Sequence, residues 1–324
     1  MARFRPQALR AVSEFREVKG PMSVIPSLAS GSQWTLPFAL DVSTNVFRDK
    51  FGQLDTDGWR DLLIASVTSP IINEVEFPHF PPPELQEQIH GSSGESALWD
   101  AAEIYRFVSS KPLFRQTAVP NANFLDFGAG WGRISRLFLR DFDLSRQFAF
   151  EPQRTTCFLA RSLNPYACFM TGGEIPDQTL PPNHFELVVG WSVFSHLSEY
   201  STIVWLEEMG RIMRRDGYCV FSTYGERFLD LLLKEEAEQQ RGKQIHWYHR
   251  QCLEAAGDIN EPRRRYLNGE FVWFGDGPTD HYGYAAFLHQ NLLEHILRQH
   301  GFPLELVEFD CESLGQDVFI LRRT

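Results

Sequence analysis

Residues 124–138 read FLDFGAGWGRISRLF, and the reading of this stretch decides the fold. It opens with the apolar pair Phe124 and Leu125 and reaches an acid at Asp126. Glycines follow at alternate positions, Gly128, Gly130 and Gly132, with Ala129 and Trp131 between them. From Ile134 onward the spacing turns helical, with Ile134, Leu137 and Phe138 on one face. The pattern predicts a strand, a tight glycine turn and the start of a helix, an arrangement that holds a nucleotide-like cofactor at a helix N-terminus. Glycine suits the turn because the chain must reverse sharply and let backbone N–H groups approach a ligand with no Cβ in the way.

Two cofactor readings compete here. A nicotinamide or flavin fingerprint runs G-x-G-x-x-G. In this chain the third glycine comes one position early, and Arg133 stands where that fingerprint wants glycine. The run from Asp126 to Gly132, D-x-G-x-G-x-G, resembles motif I of the class I S-adenosylmethionine (SAM) methyltransferases. The resemblance implies SAM as cofactor, with Asp126 near its methionine end, where a carboxylate suits the ammonium and sulfonium charges. It also implies that Gly128, Ala129, Gly130, Trp131, Gly132 and Arg133 line the cofactor site.

Working outward, residues 121–221 alternate strand and helix patterns, which predicts a parallel sheet with crossover helices. The expected strands are 123–127, 147–150, 167–170, 185–189 and 218–223, with a helix over about 202–215. The second strand ends in Glu151, roughly 20 residues past the glycine turn, at the place where an acid accepts hydrogen bonds from ribose hydroxyls. The third strand leads into TGGEIPDQTLPPNHF. By the resemblance this loop runs beside the adenine, with Gly172, Gly173 and Glu174 as candidates. The segment FELVVGWSVFSHL, its following helix and YCVFSTYG resemble the fourth and fifth strands of bacterial members of the same family. Trp191 and Ser192, directly after the fourth strand, then border the methyl-transfer site.

The flanks are less regular. Residues 1–30 are basic, then Pro/Ser-rich, and are expected to be an arm rather than a secretory signal. Residues 31–115 read as a cap, with helices near 56–68 and 96–108 and a proline-rich connector between them. By the resemblance Gly91, Gly94 and Tyr105 lie over the cofactor; plain packing onto the sheet is the alternative. The core then spans 116–324. An insertion over about 226–284 is too long for a simple loop and is expected to carry its own structure. A helix over 287–299 and strands over 304–309 and 318–321 close the chain. The expected fold is a three-layer α/β/α Rossmann-like core. Its sheet has seven mostly parallel strands with an antiparallel last strand, and it carries an N-terminal cap and an insertion after the fifth strand.

Composition sets outer bounds. With 324 residues and 43% apolar content the chain can bury a sizeable core. A net charge of −11 argues against a broad nucleic-acid footprint. Five scattered cysteines without a C-x-x-C pair argue against a disulfide framework or a zinc site and fit a reducing, cytoplasmic setting. No run approaches the roughly 18 apolar residues of a membrane span.

The sulfonium of SAM already activates its methyl group, so such an enzyme needs at most one base beside a well-positioned nucleophile. His196 is the base candidate, because ligands of open α/β sheets bind at the carboxyl ends of the strands. The alternative is a structural histidine bonded to nearby backbone. His281 and Tyr282, in the insertion, are weaker candidates for contact with substrate, as is Tyr105. His246 and His249 sit three apart but lack further zinc ligands nearby. Arg263, Arg264 and Arg265 read as a solvated patch before they read as an anion site. The expected reaction is methyl transfer to oxygen or nitrogen of a small or medium polar acceptor, of glycan or secondary-metabolite type by analogy. The rivals are a non-catalytic SAM-fold binding protein and a nicotinamide dehydrogenase.

Overall fold

The computed structural model describes residues 45–324, apart from 120, 276 and 278. The expected basic arm at 1–30 lies outside the described residues. In chain order, α1 (Val46–Phe51) and α2 (Thr56–Ala65) lead into a two-stranded ribbon, β1 (Ile71–Ile72) and β2 (Val75–Glu76). Next come α3 (Pro83–His90), α4 (Gly94–Ser110) and α5 (Pro112–Thr117). The α/β alternation follows as β3 (Phe124–Phe127), β4 (Gln147–Phe150), α6 (Arg154–Leu163), β5 (Cys168–Met170), β6 (Phe185–Gly190), α7 (Glu199–Ile212) and β7 (Met213–Thr223). The insertion holds α8 (Glu226–Gln240), α9 (Trp247–Ala256), α10 (Asn260–Leu267) and the hairpin β8 (Val272–Phe274) with β9 (Ala285–Phe287). The chain closes with α11 (Gln290–His300), β10 (Leu304–Asp310) and β11 (Asp317–Arg323).

Seven strands form the central sheet in the order β10-β11-β7-β6-β3-β4-β5. Strands β7, β6, β3, β4 and β5 are parallel to one another, whereas β11 pairs antiparallel with both β7 and β10. The antiparallel strand is therefore the last in sequence, as expected. Every residue of β3 and β4 is buried, which suits parallel strands covered on both faces and explains why they read as apolar runs rather than alternating ones.

The segment after the glycines departs from the sequence expectation. Only one 3₁₀ turn forms there, Ser135–Phe138, where the spacing predicts a helix. The reason lies in who satisfies its carbonyls. The indole of Trp59 donates to Leu137 O at 2.8 Å, and Asn45 Nδ2 donates to Leu139 O and Phe142 O at 2.7 Å each. Arg48 donates to Arg140 O and Asp141 O. Backbone acceptors that an α-helix would pair internally are met instead by side chains from α1 and α2 and the residue that caps α1. The same elements share one apolar cluster with the sheet, in which Phe47, Trp59 and Leu98 join Phe124, Leu187 and Val220.

Two boundaries also move. Helix α7 ends at Ile212, earlier than expected, because the chain enters β7 at Met213, paired with Phe185. Helix α11 starts at Gln290, since Phe287 is committed to the hairpin opposite Val272 and His289 caps the helix through the Asn291 N–H. The insertion has a core of its own, around Leu229, Leu232, Cys252, Ile259, Val272 and Phe287. No helix among the described residues is long and apolar enough to cross a membrane.

Candidate active site

A cavity of about 1080 Å³ opens where the carboxyl ends of β3, β4, β6 and β7 meet. Other regions complete its wall: the end of α3 with residues on α4, Thr156 on α6, Glu174 after β5, Trp205 on α7, the insertion, and the loop between β10 and β11. This is the edge where open parallel sheets bind ligands.

The glycine loop forms one wall. Gly128, Gly130 and Gly132 have φ of +72°, +56° and +86°, the left-handed region that penalises a side chain. The loop is anchored by the N–H groups of Gly128 and Ala129, which both donate to Phe150 O at 2.9 Å. Beside them, Glu151 Oε2 accepts the Gly130 N–H at 2.9 Å and Oε1 accepts the Gln153 N–H at 2.9 Å. Burial raises the Glu151 carboxyl pKa, and the two backbone donors pull it back down.

Asp126 stands one layer deeper. It is not on the cavity wall, and its Oδ2 accepts both the N–H (2.8 Å) and the hydroxyl (2.6 Å) of Ser135. It thereby ties the end of β3 to the 3₁₀ turn. Burial pushes its carboxyl up to about 6 despite the Ser135 bonds and the nearby Arg133.

Two polar atoms beside the loop lack protein partners, His90 Nε2 and Arg133 Nε, and both residues line the cavity. A Cβ built on Gly130 would lie 3.4 Å from His90 Cε1, so the end of α3 sits close over the loop. A concave site lined by a glycine loop, the buried carboxylate of Glu151 and the guanidinium of Arg133 fits a cofactor with ribose hydroxyls and a carboxylate.

His196 lines the same cavity. Its Nδ1 lies 3.2 Å from Gly283 O, and its ring stacks on Tyr282 at 4.9 Å between centroids, 16° from parallel. A carbonyl accepts only, so Nδ1 carries the proton and Nε2 keeps its lone pair. Burial lowers the imidazole pKa to about 4, which keeps it neutral near pH 7. The insertion holds this arrangement by pairing with the turn after β6. Gly283 N donates to His196 O at 2.8 Å, Ser198 N to His281 O at 3.0 Å, and the Trp273 indole to His196 O at 3.1 Å. Tyr224 and Tyr248 approach the same ring edge-on, and Tyr248 OH donates to Tyr284 O at 2.5 Å.

Of the residues singled out in the sequence, Gly128, Gly130, Arg133, Glu151, Glu174, Trp191, Ser192, His196, His281 and Tyr282 meet at this one cavity. Ala129, Trp131, Gly132 and Gly173 do not reach its wall. Trp131 is fully buried between Phe80, His90 and the guanidinium of Arg136. Gly173 N is spent on Asp177 Oδ2. Tyr105 is a core residue that donates to Asp141 Oδ2 at 3.0 Å and packs on Phe138, away from the cavity. Gly91 is on the wall and Gly94 is not. The three arginines at 263–265 are consumed by ion pairs with Glu226, Asp230, Glu261 and Glu270. No group of three or more metal-ligating side chains occurs among the described residues.

Sequence reasoning missed His90, Tyr224, Tyr248 and Gln316. Two of them carried a local signal: His90 is the last helical residue before Gly91, a left-handed helix stop at φ +76°, and Tyr224 directly follows the expected strand 218–223. The others reach the cavity through tertiary pairing alone.

A family profile described as "Methyltransferase domain" matches residues 101–307, more than half of the chain. No curated protein matches the sequence significantly. Among solved structures, a SAM-dependent methyltransferase from Leishmania major is 13% identical, with 83% of this chain and 85% of that one covered and a TM-score of 0.47. The magnesium protoporphyrin IX methyltransferase of Synechocystis, solved with bound SAH, is 11% identical, with 74% and 94% covered and a TM-score of 0.45. A SAM-dependent methyltransferase from Methanosarcina mazei is 14% identical, with 66% and 97% covered and a TM-score of 0.44. The family assignment rests on the profile match.

Proposed function

The chain belongs to the methyltransferase-domain family, with SAM as its methyl donor, and on that premise we propose that it methylates a hydroxyl or amine of a small or medium polar acceptor with His196 as the base. One observation carries this reading. A neutral imidazole, fixed in one tautomer by Gly283 O and in one plane by Tyr282, shares a cavity with the glycine loop and Glu151.

The bound cofactor supplies an activated methyl group on a sulfonium. Everything else falls to the chain's own residues. Glu151, whose carboxylate oxygens keep lone pairs beyond the two backbone donors, would hold the ribose end, in keeping with an acid at the end of the second strand. Arg133, whose side chain lines the cavity, would meet the carboxylate at the other end. Glu174 and the turn at Trp191 and Ser192 border the remaining faces. His196 Nε2 takes the proton of the acceptor O–H or N–H as that atom becomes the nucleophile, and Nδ1 stays bonded to Gly283 O throughout.

The acceptor faces Tyr224, Tyr248, Tyr282 and Trp247. The last of these is 54% exposed, so a flat-faced acceptor such as a sugar or an aromatic metabolite finds a ring at the mouth of the cavity. Isothermal titration with SAM, followed by a tritiated-methyl assay over a panel of sugars and hydroxylated metabolites, tests the reading. Binding and transfer to at least one such acceptor are expected. Binding without transfer to any of them would sink it.

A further inference from the structure

We infer that Gln316, on the loop joining β10 and β11, is a positioning residue that holds the cofactor-facing turn after β6 in its working conformation. The inference rests on the assignment of this cavity to SAM.

Ser192 has φ +56°, a conformation that non-glycine residues seldom adopt without support. The support is a closed ring of directional hydrogen bonds. The Ser192 N–H donates to Ser222 Oγ at 2.9 Å, and Ser222 Oγ donates to Gln316 Oε1 at 2.6 Å. Gln316 Nε2 donates to Ser192 Oγ at 2.9 Å, which completes the circuit. Ser192 Oγ is left 3.3 Å from Ser195 Oγ. Each group in the ring is used in the role its chemistry allows: the amide oxygen accepts, the amide nitrogen donates, and the Ser222 hydroxyl does both.

Sheet register brings the members together. Strand β11 pairs antiparallel with β7, with Val318 opposite Ser222, so Gln316 arrives at the carboxyl end of β7 just before β11 begins. Ser222 is fully buried at the back of the ring, and Ser192 and Gln316 are half-buried at the cavity wall.

The consequence reaches the cofactor through Val193. A Cβ on Gly128 would lie 2.3 Å from Val193 Cγ2, so the turn after β6 packs directly on the first glycine of the loop. Ser192 precedes Val193, and both line the cavity, as does Gln316 itself. If Ser192 relaxes out of the left-handed region, Val193 and Trp191 move and that wall moves with them.

The test separates a role in conformation from one in general stability. Gln316→Leu fills the same space and removes both amide bonds. S-adenosylhomocysteine affinity, measured by titration calorimetry on the full chain, is expected to fall about tenfold. Ser192→Gly makes a positive φ cost-free. The double variant Ser192→Gly/Gln316→Leu is therefore expected to regain affinity to within about threefold of the unmodified protein. Unchanged affinity in Gln316→Leu overturns the inference, and so does a double variant as weak as the single one. Should Gln316→Leu fail to fold, Ser222→Ala with and without Ser192→Gly replaces it: loss restored by the glycine supports the inference, and no loss or no restoration overturns it. If the unmodified protein itself does not bind S-adenosylhomocysteine, the cofactor assignment falls first, and that result is distinct from either of the others.

Discussion

Glu151 accepts the Gly130 N–H through Oε2 at 2.9 Å, and this one bond joins the end of the second parallel strand to the middle of the glycine loop. The carboxylate thus shapes the loop before any ligand arrives. Glu151→Ala leaves that N–H without its partner, at a cost of about 1–3 kcal/mol in unfolding free energy. SAM affinity is expected to fall by at least tenfold. Glu151→Gln keeps an acceptor oxygen for one of the two backbone donors and is expected to lose about half as much. Equal losses in both variants, measured by urea unfolding and calorimetric titration, would mean that the charge matters and the loop bond does not.

His196 presents a different signature. With its pKa lowered to about 4 by burial, the ring is already a neutral base across the physiological range. The rate of methyl transfer should therefore stay flat between pH 6 and 8 and fall only toward pH 4. An inflection near 6.5, the ordinary histidine value, would contradict this. His196→Ala is expected to slow turnover on an accepted substrate by about 10²- to 10⁴-fold with SAM affinity unchanged. Full turnover in that variant would remove His196 from the mechanism.

Asp126 couples stability to pH through its burial. Its carboxyl is raised from 3.8 to about 6, so the folded state holds the proton more tightly than the unfolded chain does. A raised pKa means that the contribution to stability is present in full below about pH 4 and is lost as pH climbs through 6. The loss amounts to about 3 kcal/mol at most. Asp126→Asn keeps an oxygen for the Ser135 N–H and hydroxyl but cannot ionise. Unfolding free energies of variant and unmodified protein, compared by urea titration at several pH values, are expected to diverge in the variant's favour between pH 4 and 7. A constant difference over that range would show that the carboxyl titrates normally.

The glycine spacing at 128–132, the apolar runs of β3 and β4 and the acid closing β4 are local features of the sequence, and local features survive into the fold. What stays hidden has a common physical cause. Trp59, Asn45 and Arg48 replace helical hydrogen bonds after the loop across sequence separations that no periodicity records. Gln316 meets Ser192 only because β11 lies against β7. Tyr105 reads as a lid residue from its place on an amphipathic helix. Spacing alone gives the buried face but not what covers it, and here it is Phe138 and Asp141. Even Asp126, legible as a motif acid, turns its Oδ2 to Ser135 rather than lining the cavity.

The glycine loop also distinguishes glycines needed for space from glycines needed only for backbone freedom. Gly128 and Gly91 both have positive φ, +72° and +76°. A methyl group on Gly91 meets nothing within 4 Å, so Gly91→Ala carries only the left-handed penalty of about 1–2 kcal/mol. A methyl group on Gly128 would carry the same penalty and also collide with Val193 Cγ2 at 2.3 Å, an overpacking cost of about 1–3 kcal/mol more. Gly128→Ala is thus expected to destabilise the protein by clearly more than Gly91→Ala and to abolish measurable S-adenosylhomocysteine binding. Adding Val193→Ala to Gly128→Ala removes the collision and leaves the backbone strain, so the double variant should recover part of the lost stability. If the double variant is no more stable than Gly128→Ala in urea unfolding, contact between the loop and the turn after β6 is not what makes glycine necessary there.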